Sequence, residues 1–148
     1  MNFHVTVIDD REPVINKFIG ADQKFHMPFV DFIEAGNLPK NSYVVVSTQS
    51  HKYDYHVINQ VIKNKLHPKY IGMLCSKEKL KDYLNKTYEN FGKDVDLSNF
   101  YSPIGLDTGG GSPEEIAISI SAEILAVHHN KNGHKHMRGE NNDPHRYW

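Results

Sequence analysis

The strongest constraint on the fold is the run Tyr43-Val44-Val45-Val46, closed by Ser42 and Ser47. Consecutive β-branched residues without polar alternation suit a strand buried on both faces, the habit of parallel sheets covered by helices. Two other runs resemble it: Phe3–Ile8, which ends in Asp9-Asp10-Arg11, and Lys69–Leu74. A weaker fourth run, Phe29–Ile33, also reads as a strand. Segments of helical period alternate with these. Over Tyr53–Leu66, the residues Tyr55, Ile58, Val61, Ile62 and Leu66 form one stripe, and over Lys77–Phe91 the residues Leu80, Tyr83, Leu84, Thr87 and Phe91 form another. The plainest helix start is Ser112-Pro113-Glu114-Glu115, with serine at the N-cap, proline at the first helical position and capping-box spacing to Glu115. Ile116, Ile120, Ile124 and Val127 then give that helix an apolar face. Strands alternating with helices predict an α/β fold with a mainly parallel sheet and helices on both sides.

A chain of 148 residues favours one domain over two and can bury an ordinary core. The expected organisation is a domain over residues 1–129 and a polar, mobile tail over 130–148 that carries His134, His136 and His145. The formal net charge of −1 supplies no field that would draw nucleic acid or an anionic membrane. The single cysteine, Cys75, excludes an intramolecular disulfide, and no apolar run approaches the roughly 20 residues of a membrane span. Together with an N-terminus unlike a secretory signal, these features predict a soluble, cytoplasmic protein with neither nucleic-acid nor membrane partners.

In an open parallel sheet, ligands bind beyond the carboxyl ends of the strands. After the first run, Asp9 suits a ribose diol and Arg11 suits a phosphate, or the two simply pair with each other across a solvated loop. After the second, Thr48, His51 and Asp54 bring a hydroxyl, an imidazole and a carboxylate, for ligand binding or helix capping, and His51 is either a proton-transfer group or a structural residue. After the third, Ser76 is an N-cap beside Lys77, where an anion could be held, and Cys75 is either reactive or a small apolar filler. The stretch Asp107-Thr108-Gly109-Gly110-Gly111 opens backbone amides toward a helix start, although glutamates in the first turn compete with an anion there. The plainer alternative is a flexible connector. It matches neither the P-loop nor the dinucleotide GxGxxG pattern, and no ligand spacing for a zinc site occurs. These residues by themselves identify no catalytic group and no metal ligand.

Four segments in order, VTVIDDR, YVVVSTQSHKYD, YIGMLCSKEK and PIGLDTGGGSPEEIAISISAEILAV, resemble the C-terminal Rossmann-like domain of the XdhC/CoxI family, the accessory factors of xanthine dehydrogenase. The resemblance runs from about Phe3 to Val127 and implies a Rossmann-like three-layer fold. It begins inside the family's domain, so the implied fold lacks the usual first strand-glycine loop-helix unit. That strand is central in the usual order, and its loss exposes two sheet edges. The expectation is a rearranged sheet, a strand from another chain, or a fragment of a longer protein. Cys75 stands where the family commonly has glycine.

The resemblance further implies a protein that binds molybdenum cofactor, protects it during sulfuration and helps deliver it to a molybdenum hydroxylase apoenzyme. Asp9, Arg11, Thr48, His51, Ser76, Lys77, Asp107, Gly109, Gly110 and Gly111 are the binding residues expected on that reading. The apoenzyme is the implied partner, the same context admits a cysteine desulfurase, and a homodimer or a complex with a strand-supplying chain would cover the open edges. Turnover by the chain itself is not expected. Two alternatives stay open: an NAD(P)-binding oxidoreductase-like protein, and a non-catalytic interaction module.

Overall fold

The computed structural model describes residues 2–133, and the histidines of the C-terminal tail lie outside them. The described chain divides into two compact units, one of residues 2–42 and 48–68, the other of residues 43–47 and 69–133.

In the first unit, β1 (Thr6–Asp9) leads through α1 (Glu12–Lys17) to β2 (Gln23–His26). The two strands pair in parallel, Thr6 opposite Gln23 and Asp9 opposite His26. Glu12 and Pro13 open α1, where proline's missing N–H costs no helical bond. The segment Phe29–Glu34 is α2, which corrects the strand expected at Phe29–Ile33. Pro28 sits at its N-cap, and the i, i+3, i+4 spacing of Phe29, Phe32 and Ile33 buries Phe32 and Ile33 on one helical face. Phe32 meets Phe25 edge-on at 5.1 Å. Helix α3 (His51–Lys63) packs on α2 and buries Val57, Ile58 and Val61. It starts two residues before the expected Tyr53, because the Ser50 hydroxyl accepts a hydrogen bond from the Tyr53 amide and fixes the cap there.

In the second unit, β3 (Tyr43–Val46), β4 (Tyr70–Met73) and β5 (Phe100–Tyr101) form a sheet in that order. Both of its pairings are parallel, with Tyr43 opposite Tyr70 and Ile71 opposite Phe100. All four residues of the central strand β4 are buried, whereas Val45 of β3 is exposed, which corrects the burial on both faces expected of the run Val44–Val46. Helix α4 (Lys77–Phe91) has the bounds its stripe predicts and buries Tyr83 and Thr87. Helix α5 (Pro113–His128) carries the complete capping box between Ser112 and Glu115. Replacing Ser112 with alanine should cost about 1 kcal/mol, read as a lower midpoint in urea unfolding with an unchanged slope.

Tyr70 explains the glycine in the middle of β4. Tyr70 and Gly72 share a face of the strand, and a Cβ on Gly72 would come within 2.8 Å of the Tyr70 hydroxyl and 2.5 Å of Ile104 Cδ1. Without that Cβ, the Tyr70 ring lies across the strand. It stacks on Tyr101, with centroids 4.7 Å apart, and sends its hydroxyl to Glu123 on α5 at 2.6 Å. The same carboxylate oxygen accepts the Gly105 amide at 2.9 Å.

Candidate functional site

The candidate residues divide between the two units, with Asp9, Arg11, Thr48 and His51 in the first and Ser76, Lys77, Asp107, Gly109, Gly110 and Gly111 in the second. In the first unit, at the end of β1, Asp9 and Arg11 are engaged with each other. Asp9 Oδ1 accepts from the Arg11 amide and Nε at 2.9 and 3.0 Å, and Oδ2 accepts from Nη2 at 2.9 Å. The bidentate guanidinium holds the Asp9 carboxyl below the usual carboxylate range. A folded-state pKa below the unfolded value contributes stability above the unfolded pKa, and that stability is lost as pH falls through the folded one. Asp9→Asn should therefore remove a small stabilisation, at most ~1 kcal/mol for so exposed a pair, at neutral pH. The variant and the parent should converge in unfolding free energy once the medium is more acidic than the ordinary carboxylate range.

The loop between β3 and α3 is tied by its own side chains. The Thr48 hydroxyl donates to the Ser50 carbonyl at 2.9 Å, and the Thr48 amide donates to Asp54 Oδ1 at 2.8 Å. Asp54 is 3% exposed, a buried carboxylate on the first turn of α3. Its other oxygen, Oδ2, lies 3.4 Å from His51 Nδ1. The His51 ring leans on Tyr55, with centroids 6.3 Å apart.

In the second unit, Ser76 caps α4 by accepting the Lys79 amide at 3.3 Å, which leaves Lys77 exposed on the first turn. Cys75 is half-buried. At the glycine loop, the amides of Gly111 and Ser112 both donate to Glu115 Oε2 at 2.9 Å, and these bonds pull the Glu115 carboxyl below its usual range. The seat that the loop offers an anion is thus filled by the chain's own carboxylate. Thr108, Gly109, Gly110, Glu115 and Ile118 line an open depression beside it, and Asp107 is exposed. Among the described residues, no cluster of three or more His, Cys, Asp or Glu is arranged to hold a metal, and no helix is long and apolar enough to cross a membrane.

The carboxylate of Asp54 is legible beside His51, although the sequence gives no sign of its burial. Two other polar residues escape a reading of the sequence by strand ends. Glu123 does leave a signal, as the one acid among Ile120, Ile124 and Leu125 of an apolar helix. Ser102, whose hydroxyl both accepts the Met73 amide at 3.0 Å and donates to the Met73 carbonyl, leaves none.

Parallel strands joined through helices, with capped helices following the strand ends, define a Rossmann-like α/β domain. The family model of the XdhC Rossmann domain matches residues 1–124, and the chain belongs to that family. It is 42% identical over 81 residues to a probable xanthine dehydrogenase component of Bacillus subtilis, a match covering 55% of this chain and 22% of that protein. It is also 28% identical over 101 residues to the uncharacterized protein YqeB of Escherichia coli, covering 68% of this chain and 18% of that one. Among solved structures it resembles a xanthine dehydrogenase from Bacillus halodurans, with a TM-score of 0.71 and 26% identity, over 94% of this chain and 38% of that chain. The chain therefore spans less than a quarter of these curated relatives.

Proposed function

We propose that the chain is an accessory protein in the maturation of a molybdenum hydroxylase of the xanthine dehydrogenase type, and that it binds molybdenum cofactor or a related nucleotide-like ligand at its strand ends. The observation that carries this reading is the family match over residues 1–124, together with relatives named for xanthine dehydrogenase. The residues fit such a ligand in part. In the first unit His51 offers a polar edge; in the second, taken by itself, Lys77 offers a cation at a helix start. A phosphate at the glycine loop has to displace Glu115 from two amides, and a phosphate at Arg11 has to compete with Asp9. Bound there, the cofactor would bring molybdenum and a pterin, and the chain's part is to hold and shield it.

The proposed partners are the hydroxylase apoenzyme and a cysteine desulfurase, in the cytoplasm. Self-association into a homodimer, or pairing with a strand-supplying chain, is proposed because β1 pairs only with β2, and β3 only with β4, among the described strands. A fluorescent pterin should bind, and Asp9→Ala and His51→Ala should each weaken it without lowering the thermal midpoint by more than a few degrees. Unchanged affinity in both variants would remove the strand-end site. Micromolar binding of NAD(H) or NADP(H) in place of pterin would instead support an oxidoreductase-like protein. The occupied glycine loop favours a second reading, an interaction module without a small ligand, which predicts binding of neither.

A further inference from the structure

Asp54 is a buried carboxylate, and burial of a charge is tolerated only with partners. Oδ1 has one in the Thr48 amide at 2.8 Å. Oδ2 faces His51 Nδ1 at 3.4 Å, and Nδ1 is inaccessible to solvent and completes no hydrogen bond, to Asp54 or to any other group. The charge of the carboxylate, 3.4 Å away, favours a proton on the facing Nδ1, and an Nδ1–H has no other acceptor. The His51 side chain is nonetheless 36% exposed, so its accessible surface belongs to the rest of the ring, whose remaining polar atom is Nε2. A neutral imidazole with its proton on one nitrogen presents a lone pair on the other.

We propose that Asp54 is a positioning residue that fixes the proton of His51 on Nδ1, leaving Nε2 as the acceptor for an N–H or O–H group of the bound ligand. This rests on the reading that the loop after β3 belongs to the ligand site, and it narrows the ligand there. A neutral His51 held in this way matches a donor edge, such as the lactam N–H of a fused heterocycle, and not a phosphate oxygen, which needs a donor. The ligand's phosphate must then be met elsewhere.

Long-range proton–nitrogen NMR of the full chain reads the tautomer directly, with His51 assigned by comparison with His51→Gln. The expected spectrum shows Nδ1 protonated and Nε2 unprotonated. Asp54→Asn provides the decisive contrast. Its carbonyl oxygen can keep the Thr48 amide, which turns the NH2 group toward His51 and makes Nδ1 the acceptor. The tautomer should then invert to Nε2–H while the fold persists, a change that a merely structural role for Asp54 would not produce. A wild-type His51 carrying its proton on Nε2, or a tautomer unmoved in a folded Asp54→Asn, would overturn the assignment. Pterin titration separates the ligand half. Binding to the wild type that is lost in Asp54→Asn supports the acceptor role, and binding undiminished in the inverted variant refutes it. Failure of pterin to bind the wild type, with the expected tautomer present, counts against the cofactor reading and leaves the Asp54–His51 assignment standing.

Discussion

Gly72→Val is expected to destabilise the three-stranded unit by ~3 kcal/mol or more. The centre of β4 has no room for a side chain, since even a Cβ meets Ile104 Cγ1 at 2.6 Å and the Tyr70 hydroxyl at 2.8 Å. Ile104 could turn its terminal methyl aside, but Tyr70 cannot yield cheaply. Its ring is fully buried, stacked on Tyr101 and anchored at its hydroxyl by Glu123. A β-branched side chain is the type most favoured in strands in general, so the sign of the effect is informative. Urea unfolding followed by tyrosine fluorescence should show a lower midpoint. A valine variant as stable as the parent would mean that Tyr70 does not lie across the strand.

Glu123→Ala should cost roughly 2–4 kcal/mol, more than Tyr70→Phe at about 1 kcal/mol, because the two changes leave different things behind. One oxygen of Glu123 serves two donors, the Tyr70 hydroxyl and the Gly105 amide. Removing the acceptor strands both donors, one of them on a side chain with no exposed surface. Removing the hydroxyl strands neither, since Gly105 still satisfies the carboxylate. Burial and the neighbouring Glu123 push the Tyr70 phenol up, so it remains a neutral donor across the working range of pH. The double variant should therefore cost less than the sum of the two single changes, a coupling that a double-mutant cycle measures. Additive costs would show that the hydroxyl and the carboxylate do not interact.

The elements legible in the sequence are those whose own residues determine them. Val44–Val46 and Ile71–Met73 are apolar without interruption, and Ser76 and Ser112 announce their helices before the periodic residues begin. The elements that are not legible depend on partners elsewhere in the chain. Strand β2 is Gln23-Lys24-Phe25-His26, polar at three of four positions and exposed at the same three, and it is a strand because β1 offers it a ladder. Strand β5 is two residues long. Phe29–Ile33 is a run short enough to suit either state, and the helix prevails because it places Phe32 against Phe25.

The candidate site divides in the same way. The Asp9–Arg11 pair is local, and mutual pairing is one of the two arrangements that its sequence admits. Glu115 as occupant of the glycine loop follows from the capping box and from competition between carboxylate and anion at one helix start. The Tyr70–Glu123 link spans 53 residues, a contact that no local pattern announces.

The proposed accessory role requires that the chain hold a molybdenum-pterin ligand. The most direct test is to purify the chain from a host that makes molybdenum cofactor and to analyse the folded protein for molybdenum and fluorescent pterin. Both are expected, in stoichiometric amounts with each other and with the chain. A folded sample free of molybdenum and pterin would contradict it and leave a Rossmann-like module whose task is to bind another protein.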